Sequence, residues 1–155
     1  MGTSSESAAN PVYSVVGDRY VFLTTGEETA GACCVVEVRV PPGGGPPPHV
    51  HRREDELFYV VEGEFEFLVA GESVRLSAGG SLFGRREVPH TFKNVGPGPG
   101  KLIIAVTPAG LERFFMEVGT RLDGPEADPI PPTPNDFERL LRAAPAYGLE
   151  IPAGG

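Results

Sequence analysis

"GGGPPPHVHRREDELFYVVEG", from Gly43 to Gly63, decides how this chain is read. A run of glycine and proline ends at His49, and His51 follows one residue later. On an extended backbone, side chains two apart point to the same face, so both imidazoles can reach one point. The acids Glu54, Asp55 and Glu56 then lead into the apolar run "LFYVV". Glu56 shares a strand face with Phe58 and Val60, and so points wherever that apolar row points. Glu54 and Asp55 fall in the loop before it and are expected to face water.

Outward from this stretch the chain keeps the same texture. Its 155 residues include 21 Gly and 17 Pro, grouped at 41–48, 96–100 and 124–134. Between these groups lie candidate strands at 12–16, 20–25, 32–40, 57–63, 64–71, 72–79, 81–84, 90–95 and 101–107. Many short strands broken by turn residues indicate an all-β sandwich or barrel. The alternation agrees. Val36, Val38 and Val40 oppose Glu37 and Arg39, while Phe65, Phe67 and Val69 oppose Glu64 and Glu66, so each strand has one core face and one wet face. "LIIAV" at 102–106 is apolar on both faces, as expected of a central strand or an oligomer interface.

Two helices are expected after the strands. "LERFFMEVG" (111–119) places Leu111, Phe114, Phe115 and Val118 on one stripe. "NDFERLLRAAP" (135–145) has Asn135 as the expected N-cap and Phe137, Leu140 and Leu141 as the apolar stripe. The resulting organisation is a mobile arm at 1–10, a β-barrel at 11–119, and a Pro-rich and helical tail at 120–155 packed on the barrel.

A net charge of -8 with no Lys/Arg block argues against nucleic acid or an anionic membrane as partner. No apolar run approaches the ~20 residues of a membrane helix. The start, "MGTSSESAAN", has neither the basic nor the apolar segment of a secretory leader. Cys33 and Cys34 are adjacent and point to opposite faces, which disfavours a mutual disulfide. Reduced thiols and a cytoplasmic location are the expectation.

His90 completes the histidine complement and shares a face with Phe92. His49, His51, Glu56 and His90 together suit one divalent transition metal: Fe, Mn, Ni, Co, Cu or Zn. Such a set leaves coordination positions open, which marks a working metal and not a structural one. Phe58 and Phe92 each share a face with a candidate ligand and are expected to line a pocket. Asn94 reads as a turn or strand-end residue.

Gly43, His49, His51, Glu56 and Gly63 carry the spacing of the first cupin motif, and Gly79, His90 and Asn94 match the second. The chain resembles small single-domain bacterial cupins of the quercetin 2,3-dioxygenase-like kind. Arg85 and Glu87 stand where that family has Pro-x-Gly. The resemblance implies a cupin double-stranded β-helix (a jelly-roll barrel), His49, His51, Glu56 and His90 as metal ligands, a small-molecule substrate and a homodimer. It also implies that Glu56 can act as a base toward a substrate hydroxyl. The activity implied is a metal-dependent dioxygenase acting on a small hydroxylated or aromatic compound. A non-enzymatic binding or sensing module, and a metal-dependent isomerase or hydrolase, stay open beside it.

Overall fold

A computed structural model describes residues 9–152. The arm expected at 1–10 lies outside these residues except for Ala9 and Asn10. In chain order the elements are β1 (Val12–Val15), β2 (Asp18–Thr24), the single-turn α1 (Gly26–Thr29), β3 (Cys34–Val40), β4 (Val50–His51), β5 (Asp55–Glu62), β6 (Glu64–Val69) and β7 (Glu72–Ser77). They continue with β8 (Ser81–Gly84), β9 (His90–Asn94), β10 (Gly100–Thr107), α2 (Leu111–Val118), β11 (Thr120–Arg121), α3 (Pro134–Ala143) and β12 (Leu149–Glu150).

A seven-stranded sheet runs β11-β1-β2-β3-β10-β5-β8, a three-stranded sheet runs β7-β6-β9, and β12 pairs with β4. The two larger sheets meet through aromatic rings: Phe58 of β5 lies 5.2 Å from Phe67 of β6 and 6.0 Å from Phe92 of β9, centroid to centroid. Val36, Val38 and Val40 of β3 and Leu102, Ile104 and Val106 of β10 join the same buried core. Each such side chain stabilises the fold by about 1.5–3 kcal/mol. This is the expected jelly-roll arrangement. β10 is a central strand between β3 and β5, with Leu102, Ile104 and Val106 buried and Ile103 and Ala105 half-buried on its other face.

Some boundaries differ from the sequence reading. β2 starts at Asp18, two residues earlier than expected, so Asp18 joins Tyr20 and Phe22 on the inward face. The cap of α3 is Thr133, not Asn135. Pro134 occupies the first helical turn, where its missing N–H is harmless, and Thr133 and Asp136 form a reciprocal capping box. Leu140 is the buried member of that helix's stripe, while Phe137 and Leu141 remain exposed.

The chain beyond residue 119 returns to the sheets. β11 pairs with β1, and β12 pairs with β4. Ser14 Oγ accepts the Ile130 N–H, and Arg19 donates to the Ala127 carbonyl. Glu112 of α2 accepts N–H groups from both Gly110 and Gly26, fixing that helix to α1.

Candidate metal centre

The glycine and proline run lays its backbone along β9. Gly43 N–H donates to Asn94 O, and Asn94 N–H donates to Gly44 O. Further along, His49 and His90 exchange both backbone hydrogen bonds, at 3.1 and 3.0 Å. Gly45 is the point of closest approach. Its φ is +139°, and a β-carbon there would lie 2.0 Å from the Phe92 carbonyl oxygen. Only glycine permits this contact, and through it the first ligand strand reaches the last. Asn94 is structural: its side chain donates to the Val40 and Gly98 carbonyls and accepts from Gly96 N–H.

His49, His51, Glu56 and His90 converge. One ligand atom from each lies within 4.8 Å of the others. Glu56 Oε1 is 2.8 Å from His90 Nε2 and 3.2 Å from His51 Nε2. The opposite ring nitrogens are tied to other partners. His49 Nδ1 lies 2.8 Å from the Pro47 carbonyl, and His90 Nδ1 lies 3.2 Å from the Val88 carbonyl. In the tautomer that donates there, each Nε2 is left with its lone pair for the centre. The donor set fits a divalent transition metal: three imidazoles and one carboxylate, fixed by the backbone around one point.

Without a metal, the group holds its charge by internal pairing. Burial alone would raise Glu56, but the charge of His51 and hydrogen bonds from His51 and His90 hold it well below the ordinary carboxylate range. Burial alone would lower His51, but the charge of Glu56, reinforced by Glu54, lifts it to about 10. Burial, then the charges of His51 and His90, push His49 down to about 3. His51 and Glu56 thus form a charged pair beside a neutral His49, an arrangement that a metal would replace by displacing the proton.

Two expectations about the acids are corrected. Glu54 does not face water: it is 5 % exposed and its Oε1 lies 3.6 Å from His51 Nδ1. The backbone bends after His51, so Glu54 folds back under the ring. Asp55 is the first residue of β5, partly covered, and its carboxylate accepts from the Arg86 N–H and guanidinium. The loop carrying Arg85 and Glu87 clamps onto the first ligand segment. Glu87 N–H donates to the His51 carbonyl at 2.7 Å, and its carboxylate pairs with Arg52, which also holds Glu150. Glu87 has φ +70°, so the residue in the family's glycine position keeps glycine's conformation.

The cluster opens into a cavity lined by Phe58 and Phe92, with Phe115 of α2 and Leu140 and Leu149 of the tail also in its wall. The sequence reading missed Asp18 and Tyr20, which also line this cavity. The signal was present: in "DRYVF" every second residue from Asp18 falls on the face of Tyr20 and Phe22.

The pattern of the family described as "Cupin domain" matches residues 36–106, an interval that contains all four clustered residues. Residues 36–106 of this chain form a cupin domain. Quercetin 2,3-dioxygenase of Bacillus subtilis is 26% identical to this cupin over 125 residues, 81% of this chain and 36% of that protein. The chain therefore spans little more than a third of that relative. The tetracenomycin polyketide synthase protein TcmJ of Streptomyces glaucescens is 28% identical over 102 residues, covering 66% of this cupin and 68% of TcmJ. Among solved structures, an RmlC-like cupin from Shewanella frigidimarina superposes with a TM-score of 0.59 at 28% identity, covering 67% of this chain and 88% of that one.

Proposed function

We propose that this cupin binds one divalent transition metal (Fe, Mn, Ni, Co, Cu or Zn) through His49, His51, Glu56 and His90. Its activity in this reading is that of a metal-dependent dioxygenase on a small hydroxylated or aromatic compound. The carrying observation is the convergence of the four ligand atoms at the end of a cavity walled by Phe58 and Phe92. The similarity to a quercetin 2,3-dioxygenase supports the reaction class. A metal held there by His49, His51, Glu56 and His90 would supply Lewis acidity toward a substrate oxygen and redox chemistry toward dioxygen. The protein supplies the rest. Phe58 and Phe92 exclude water and offer ring faces to an aromatic body. Glu56 lines the cavity beside the cluster, and in this reading its carboxylate takes the proton of a substrate hydroxyl.

Oxygen consumption decides the reading. The protein is loaded with each of the six metals in turn and offered flavonols, β-diketones and catechols. Uptake with at least one pairing is expected, and none for any pairing refutes a dioxygenase. Turnover that persists under strict anaerobiosis would show an isomerase or hydrolase instead.

We further propose that two copies pair through the outer face of β5 and β8. Leu57 and Phe83 are register partners there, 46% and 57% exposed, with Tyr59 beside them. Light scattering should give a dimer mass for the native chain and a monomer mass for Phe83→Lys. A monomeric native protein contradicts the pairing.

A further inference from the structure

The cavity has a second polar patch, which takes no part in the four-residue cluster. Asp18, Tyr20 and Phe22 form the inward row of β2, and Asp18 lines the same cavity as His49, His51 and Glu56. Asp18 is 3% exposed, and its Oδ1 has no hydrogen-bond partner among the described residues. Its neighbour Arg19 turns away and donates to the Ala127 carbonyl at 3.1 Å. An unpaired buried carboxyl destabilises a fold, so its place in a cavity calls for a ligand group that completes it. Tyr20 lines the cavity too, and its phenol is fully buried there. The walls around them, Phe58, Phe92, Ile104 and Phe115, are apolar.

We propose that Asp18, with Tyr20 beside it, sets the specificity of this site by hydrogen-bonding a hydroxyl carried by an aromatic substrate whose other end reaches the histidine cluster. This rests on the metal-centre reading above. Burial pushes the Asp18 carboxyl above its ordinary range. A neutral carboxyl both donates and accepts, which matches a hydroxyl better than a cation.

The test uses probes that differ by one hydroxyl. Benzohydroxamic acid and its meta- and para-hydroxy derivatives are titrated calorimetrically into zinc-loaded protein. One hydroxylated isomer should bind on the order of tenfold tighter than the parent. Asp18→Ala should abolish that preference without changing zinc content or affinity for the parent. Asp18→Asn should retain most of it, because the amide also donates and accepts. A preference that survives in Asp18→Ala, or is absent from the native protein, overturns the proposal. Asp18→Ala should also melt no lower than the native protein, since it removes an unsatisfied group; a large fall in Tm would make Asp18 structural and equally overturn it. If the protein takes up no zinc, the metal-centre reading fails on its own. Shift perturbations by p-cresol against toluene, in metal-free native and Asp18→Ala protein, then decide the Asp18 assignment by the same criterion.

Discussion

Glu54 Oε1 lies 3.6 Å from His51 Nδ1, at the ring nitrogen that does not face Glu56. Both atoms are buried and have no other partner among the described residues. His51 is therefore bracketed by two carboxylates, one within the cluster and one behind it. A carboxylate behind a ligating imidazole fixes its tautomer and orientation and makes it a stronger donor. Glu54→Ala should weaken metal binding by about 10- to 100-fold, and Glu54→Gln should lose less, since the amide oxygen still accepts. Competition against a chromophoric chelator measures both. Equal affinity in native and Glu54→Ala protein would show that Glu54 does not act on the metal.

His90 joins the centre from β9 in the far sheet. His90→Ala should lower metal content well below stoichiometric after dialysis. Elemental analysis reads this directly, and full occupancy in the variant would remove His90 from the ligand set.

The metal-free protein should be most stable near neutrality. His51 is raised from 6.5 to about 10 in the fold, so its contribution is complete below its unfolded pKa and lost as pH climbs toward 10. His49 is lowered to about 3, so below about pH 6.5 the unfolded chain gains protons that the fold refuses, and stability drops. Glu56, held well below the carboxylate range, contributes stability that further acid removes. Melting after EDTA treatment should show a maximum between roughly pH 6 and 7. Excess metal should flatten the alkaline side, because the metal replaces the proton shared by Glu56 and His51. A Tm that rises steadily from neutral to alkaline pH without metal contradicts this charge assignment.

Gly45 and Gly43 both have positive φ but should respond differently to alanine. A β-carbon on Gly43 meets nothing within 4 Å, whereas one on Gly45 runs into the Phe92 carbonyl. Gly43→Ala should cost about 1 kcal/mol, the strain of the left-handed conformation alone. Gly45→Ala should cost about 3 kcal/mol or more, because two strands must separate. Urea midpoints at a common m-value give the comparison, and equal losses would refute the close approach.

Glu87 occupies a left-handed conformation without being glycine. Glu87→Gly relieves that strain and should stabilise the protein by up to roughly 1 kcal/mol. The lost pair with Arg52 is exposed and offsets little of this. A lower urea midpoint for Glu87→Gly would show that the pair matters more than the backbone.

The jelly roll and the four-residue cluster were legible because they rest on short-range rules. Period-two alternation placed Val36, Val38, Phe65 and Phe67 inside, and the same rule put Glu56 with Phe58 and His90 with Phe92. Glu54 was misplaced because a loop has no period: only the turn after His51 decides that its carboxylate folds inward. Asp18 was missed for a related reason, since an acid at a strand end reads as a boundary until the strand is seen to include it. The pairing of β12 with β4 joins residues about a hundred positions apart through two-residue strands. No local pattern that short carries a signal.

That pairing bears on inheritance. The family's pattern ends at residue 106, yet Phe115, Leu140, Leu149 and Ile151 form part of the cavity wall. The four clustered residues lie within the matched interval, whereas one side of the chamber is built from chain beyond it. Substitutions in the last third of the sequence can therefore redraw the range of accepted molecules while every ligand stays in place. Two cupins with the same cluster and different tails hold the same four residues in different moulds.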